Sequence, residues 1–184
     1  MRFYRLDTSA GGIAAALDAA RNGDVWEGGG VLPGHYAPVV IRGAGGGRQL
    51  VPRQWGVPPP PRGSHPVTTV RNLASPFWIG TLRHTQFRCL VPMTAFAAAS
   101  GAQDWITVPA SPVFAAAGIW RESEVASFAV LTTGPDDAPS GPAMPAILHP
   151  RHYARWLADD WKQAQALIAP FPADMLGMVR AAGG

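Results

Sequence analysis

Val113-Phe114-Ala115-Ala116-Ala117-Gly118-Ile119-Trp120 and, six residues further on, Ser127-Phe128-Ala129-Val130-Leu131-Thr132-Thr133 decide the fold. Apolar runs of this length, rich in β-branched and aromatic side chains, are strand signals. Residues 87–91, 94–98 and 105–108 upstream carry the same signal, and Pro and Gly clusters separate the runs. Five short strands in succession predict a largely antiparallel sheet or barrel.

Working outward, the N-terminal part reads differently. Residues 9–21 predict an amphipathic helix, with Ser9 as cap, Ile13, Ala16, Leu17 and Ala20 on one face, and Asn22-Gly23 as its end. Residues 28–34 read as a loop. Residues 37–42 and 49–55 read as a hairpin joined by Gly43-Ala44-Gly45-Gly46-Gly47. Pro58 to Pro61 stiffens the next loop, and Ser75-Pro76 opens a short helix with proline at its first position. The last clear helix begins near Pro150, with Tyr153, Trp156, Leu157 and Trp161 on one stripe and Arg155 four residues before Asp159. A shorter helix is predicted around residues 163–168. The fold class is therefore α+β, a single domain with a mainly antiparallel β-sheet or barrel core and flanking helices, residues 161–184 forming a C-terminal helical extension.

Composition bounds the function. The chain has 184 residues, 47 % of them hydrophobic and only 15 % charged, which suits one packed core and argues against a long disordered protein. No apolar run is long enough to cross a membrane, and Arg2, Arg5, Asp7, Asp18 and Arg21 interrupt the first thirty residues where a signal peptide needs apolar sequence. The expectation is a cytoplasmic protein with no membrane association. A single cysteine, Cys89, excludes an intrachain disulfide and points to a small buried hydrophobe within a strand.

The charge is unevenly placed. Residues 1–100 carry ten arginines against four acidic residues, whereas residues 101–184 carry five basic and eight acidic residues. No acidic residue lies between Gly28 and Gln103, where Arg42, Arg48, Arg53, Arg62, Arg71, Arg83 and Arg88 alternate with Trp55, Phe77, Trp78, Phe87 and Phe96. Guanidinium groups for phosphates and flat rings for unpaired bases suit single-stranded nucleic acid, while the alternative is an ordinary core under a soluble surface. The glycine run 43–47 lacks both G-x-x-x-x-G-K-[ST] and G-x-G-x-x-G and reads as a turn. Among the five histidines only His149 and His152 lie close together, without an H-E-x-x-H or Cys/His cluster, and no G-x-S-x-G elbow is present. No metal and no cofactor are expected.

Several segments together resemble one family. Arg53-Gln54-Trp55-Gly56-Val57, Val70-Arg71-Asn72-Leu73-Ala74-Ser75-Pro76-Phe77-Trp78, Arg88-Cys89-Leu90-Val91-Pro92 with Phe96, Ala117-Gly118-Ile119-Trp120, the run 128–133, the run 143–148 and Trp156-Leu157 follow one another in the order of the SOS response-associated peptidase (SRAP) family, which processes abasic sites. The resemblance covers roughly residues 1–160. It implies an enzyme whose second residue, a cysteine exposed by loss of the initiator methionine, condenses through its amine and thiol with the abasic aldehyde to close a thiazolidine.

Position by position, that chemistry is missing. Arg2 occupies the cysteine position. The asparagine of the family's N-x-R falls at Thr69, the proton-handling glutamate at Ala98, and the histidine before M-P at about Ser140. Alanine transfers no proton and serine is a poor base alone. The nucleic-acid-holding residues remain: by resemblance Trp55 is a stacking wedge beside the lesion, or else a lid on the core; Arg71 contacts phosphate, an arginine in an apolar strand needing an anion or a carboxylate; Asn72 follows it; Arg53 flanks the groove; and Tyr36-Ala37-Pro38 forms its mouth. The resulting expectation is a catalytically degenerate SRAP-like protein that binds single-stranded or abasic-site DNA without the crosslink. Two alternatives stand beside it: a weak abasic-site lyase acting through the Met1 α-amine, and a protein-interaction module on the same fold.

Overall fold

The computed structural model describes residues 3–97, 104–134 and 143–180. The first half runs β1 (Tyr4–Leu6), α1 (Ala10–Leu17), β2 (Ala19–Arg21), β3 (Gly29–Val31), β4 (Tyr36–Arg42), β5 (Arg48–Trp55), β6 (Thr69–Val70) and α2 (Pro76–Arg83). The second half runs β7 (Arg88–Met93), β8 (Ala95–Ala97), β9 (Asp104–Thr107), β10 (Phe114–Arg121), β11 (Ser127–Thr133), β12 (Met144–Pro145), β13 (Ile147–Leu148), α3 (Tyr153–Ala158), α4 (Trp161–Gln165) and β14 (Gly177–Arg180). The architecture is α+β, a single domain of mostly antiparallel sheet with few helices.

The five longest strands close on themselves. Strand β5 pairs antiparallel with β4, β4 with β7, β7 with β10 and β10 with β11. The ring closes where β11 meets β5 in parallel, Ser127 opposite Gln54 and Phe128 opposite Trp55. This pairing covers β5 only at Gln54 and Trp55, and β2 covers Arg48–Leu50 of the same strand, which limits its unpaired backbone. Strands β10 and β11, the stretches that decided the sequence reading, are buried along almost their whole length. At Gly118 a Cβ would come within 2.9 Å of the Cys89 sulfur and 2.5 Å of Val91 Cγ2, so only glycine lets β7 and β10 pack their inner faces this closely. A second sheet, β14-β9-β8-β1-β3, lies beside the barrel.

Several elements depart from the sequence expectation, each for a tertiary reason. The N-terminal helix stops at Leu17 rather than Arg21. Asp18 turns into the left-handed conformation (φ 48°) and donates its backbone N–H to Ala14, after which Ala19–Arg21 pair in parallel with Arg48–Leu50. Within the expected loop 28–34, Gly29–Val31 form a strand against β1 and bury Val31. The stripe from Tyr153 to Trp161 is divided into two helices, with the Asp160 carboxylate capping the second through Gln163 N–H at 2.9 Å. The Arg155–Asp159 pair is present at 2.9 Å. The segment 161–180, expected to be helical, holds α4, a short 3-10 turn (Ala173–Met175) and then β14, which covers the edge of β9. No described helix is long and apolar enough to cross a membrane.

Arg88 lies on the helix-covered side of the barrel and is completely buried. Its Nε donates to Leu82 O (2.9 Å), and its Nη1 to Trp156 O (3.1 Å) and Asp159 O (2.6 Å). It therefore caps the carbonyl ends of α2 and α3 together, between the rings of Trp156 and Trp161. Trp156 in turn donates its indole N–H to Cys89 O at 2.9 Å. These bonds fasten the helices over β7.

Candidate nucleic-acid interface

Trp55 ends β5 at the parallel seam of the barrel. Its indole N–H donates to Thr68 O (3.0 Å), its ring meets Tyr4 edge-on at 5.2 Å, and it lies nearly parallel to Phe128 at 6.4 Å. It is 0 % exposed. The sequence leaves Trp55 as a stacking wedge or a lid on the core; here the seam pairs it with Phe128, its one polar atom is satisfied, and its ring is packed among core side chains.

Arg53 shares that face of β5, since side chains two apart in a strand point the same way. Its guanidinium lies 4.5 Å from the Trp120 ring and donates through Nη1 to Pro52 O at 2.8 Å. Burial lowers its pKa, while Cys89 and Glu122 act in the opposite sense. Arg53 Nε, Trp120 Nε1 and the Tyr4 hydroxyl are all buried without a hydrogen-bond partner. All three donors are sealed inside packed protein. Burial raises the Cys89 thiol far above its ordinary value and does the same to the Tyr4 phenol. Neither group is poised to exchange protons near neutrality.

The remaining expected residues are not gathered beside Trp55. Pro38 pairs with Pro52 and so occupies the opposite face of the sheet from Arg53 and Trp55. Thr69 lies in β6, opposite Val130 of β11, next to the carbonyl that receives the Trp55 indole. Arg71 follows the end of β6 and is exposed, so it is solvated rather than forced to find a partner inside a strand. Asn72 is also exposed; its Oδ1 accepts from Ala74 N–H (2.9 Å) and shapes the turn into α2. Arg2, Ala98 and Ser140 lie outside the described residues. Tyr4 and Phe96, each two residues from one of those positions, are register partners between β1 and β8.

The basic run therefore splits. Arg48 donates to Leu17 O at 2.8 Å, Arg53 lies against Trp120, and Arg88 is locked under the helices. Arg42, Arg62, Arg71 and Arg83 are exposed and form no ion pair among the described residues. Arg121, which sequence reasoning did not single out, donates to Thr81 Oγ1 (2.9 Å) and to Phe77 O and lies over Phe77 and Trp78, tying α2 to β10. Its only sequence signal is a charge at the end of a strand.

A closed five-stranded barrel with flanking helices and an aromatic inner wall defines an α+β domain. The profile of the family described as SOS response associated peptidase (SRAP) matches residues 4–182, and the chain belongs to that family. Its fold is similar to that of a Bordetella bronchiseptica protein solved by crystallography, at 18 % identity and a TM-score of 0.79, over 99 % of this chain and 100 % of that one. A Bacteroides thetaiotaomicron protein is similar at 16 % identity and a TM-score of 0.75, over 99 % and 92 % of the two chains. A phage-related protein of Bordetella bronchiseptica is similar at 18 % identity and a TM-score of 0.74, over 100 % and 95 %. No curated protein matches the sequence.

Proposed function

We propose that this SRAP-family protein binds single-stranded or abasic-site DNA in the cytoplasm without forming the covalent thiazolidine. The exposed guanidinium of Arg71 carries the reading. It stands on the turn leading from β6, beside Trp55, into α2, without an ion pair among the described residues. Arg62 and Arg83, before and after it in the chain, share that state. Exposed guanidiniums free of carboxylates are the donors that phosphates recruit.

The absence of a crosslink rests on the thiol. Cys89 is the only cysteine of the sequence, is fully buried in β7, and has its amide nitrogen within the chain. A thiazolidine needs amine and thiol on one residue, and the resemblance puts Arg2, Thr69, Ala98 and Ser140 where the family's chemistry sits.

The test is a titration of the protein into a fluorescent single strand carrying one abasic site. The same samples are then run on a denaturing gel with and without borohydride. The expected result is binding that weakens steeply with salt, as several phosphate contacts release counterions, and no band surviving denaturation. A surviving band without borohydride would overturn the non-covalent reading. A band trapped only by borohydride would replace it with a Schiff-base lyase. No binding at low salt would overturn the DNA reading itself.

A further inference from the structure

The β4–β5 turn, strand β2 and helix α3 enclose a cleft of about 530 Å³. Strand β5 runs from Arg48, in the cleft, to Trp55, so roughly 23 Å of extended chain separates the cleft from the barrel seam. Arg42 and Arg48 both line it and are register partners across the hairpin. Residues directly opposite in an antiparallel pair project from the same sheet face, with Cβ atoms about 5 Å apart. The contacts of Arg48 fix which face that is. Its Nη1 donates to Leu17 O at 2.8 Å and its guanidinium lies 5.8 Å from the Tyr153 ring, between the end of α1 and the first turn of α3. The next residue along each element, Asp18 and Ala154, also lines the cleft. Arg42 is exposed, Arg48 is half-buried, and neither forms an ion pair among the described residues, with Asp18 or any other carboxylate. Like charges directly opposite in a sheet destabilise it, so this pair lacks a counterion within the chain. Gly47, also on the cleft wall, has no positive φ and nothing within 4 Å of where a Cβ would stand. Neither backbone nor packing demands glycine there, and its missing side chain leaves the cleft open.

These features select among ligands. Two adjacent guanidiniums call for two negative charges, which a phosphate monoester carries on three terminal oxygens, whereas a carboxylate or a phosphodiester carries one. A nucleobase finds no ring to stack on, because the one aromatic side chain in contact with Arg48, Tyr153, is itself only 2 % exposed. The walls formed by Ala19, Ala20, Ala154 and Ala158 leave room for a compact aliphatic body. The Asp18 carboxylate, exposed and unpaired with either arginine, accepts hydrogen bonds from hydroxyl groups on that body. We propose that this cleft binds a small phosphate monoester bearing hydroxyl groups. The site is separate from the Arg71 turn on which the DNA reading rests, and stands or falls independently of it.

The experiment is an NMR titration of the full chain at constant ionic strength, following the backbone N–H signals of Gly46 and Gly47 in the cleft and of Asn72 on the Arg71 turn. The probes are glycerol 3-phosphate, glycerol, dimethyl phosphate and an oligothymidylate. The expected result is a saturable shift of both glycine signals with glycerol 3-phosphate, none with glycerol, and binding about tenfold weaker for the singly charged dimethyl phosphate. Arg42→Gln, at an exposed position, weakens glycerol 3-phosphate binding about tenfold. Removing the like-charge pair leaves its ligand-free Tm unchanged or higher. Gly47→Leu keeps both guanidiniums and weakens binding by filling the cleft. Saturating glycerol 3-phosphate raises the Tm of the parent protein and not that of Arg42→Gln. Equal affinity for the two phosphates, unchanged affinity in both variants, or a ligand-free Tm lowered by Arg42→Gln would each overturn the proposal; the last would mean that Arg42 has a partner within the chain. An oligothymidylate that shifts the two glycines at lower concentration than glycerol 3-phosphate would also overturn it, by assigning the cleft to DNA.

Discussion

Arg88 and Arg71 come from the same carboxylate-free stretch of sequence, yet the fold treats them oppositely. Arg88 lies under α2 and α3, gives three hydrogen bonds to carbonyls and is sandwiched by two tryptophans. Arg71 sits one residue beyond a two-residue strand, in water, with no ion pair among the described residues. Helices that end against the barrel leave their last carbonyls free to accept. An arginine that meets those ends becomes a structural clamp, while one on an open turn keeps its donors for something outside the chain. A basic run read from sequence therefore overstates the binding surface, because part of it is consumed internally.

The largest expected effect breaks the packed side of this comparison. Trp55→Ala removes a fully buried ring from the barrel seam and should destabilise the protein by about 3–5 kcal/mol in urea unfolding. Were Trp55 a surface wedge in solution, the loss would be far smaller and DNA binding would fall instead. Arg88→Met should cost about 3 kcal/mol in the same assay, since three carbonyls at helix ends lose a charged donor at once. Arg88→Lys should recover only part of it, because an ammonium lacks the planar fork.

Alkaline titration probes the interior more gently. Burial holds the Cys89 thiol protonated well above its ordinary value of 9.0 and pushes the Tyr153 phenol up to about 12, with the Ala115 N–H bond and Arg48 opposing the latter shift. The unfolded chain releases these protons first. Stability is therefore fully present below the unfolded thiol's ordinary value of 9.0 and falls as pH rises above it, by about 1.4 kcal/mol per pH unit for each group. Cys89→Ala should flatten the first part of that fall and leave the tyrosine part, above pH 10.0, in place. A stability curve unchanged by the substitution would contradict the buried thiol.

The smallest effect on stability sharpens the exposed side. Arg71→Ala should change unfolding free energy by less than about 0.5 kcal/mol. It should weaken single-strand binding at low salt and reduce the salt slope by about one contact. A large stability loss would show that Arg71 has a structural partner, and the comparison with Arg88 would collapse.

How much was legible follows the same division. The hairpin 37–55, the Ser75-Pro76 helix start and the five strand signals were readable because period and capping are local properties. The helix predicted to Arg21 was not, since Ala19–Arg21 favour a helix locally and became a strand only because β5 had an open edge. Strand β14 was unreadable for the same reason. At the candidate site, Trp55 and Arg53 emerged from the arginine and aromatic pattern and from resemblance. Their fate did not, and neither did the burial of Asp24, whose carboxylate looks from sequence like any solvated loop acid.

The sequence by itself determined the α+β class, the family, the single thiol and the concentration of arginine in the first hundred residues. All of these are written in composition, order and short-range spacing. Only the tertiary structure decided which side chains of that basic stretch remain available. Closing β11 onto β5 buried Trp55, the β4–β5 register put Pro38 on the opposite sheet face, and the packing of α2 and α3 brought helix ends over Arg88. Burial and hydrogen-bond satisfaction depend on what lies opposite in space, often tens of residues away, and no local pattern encodes that.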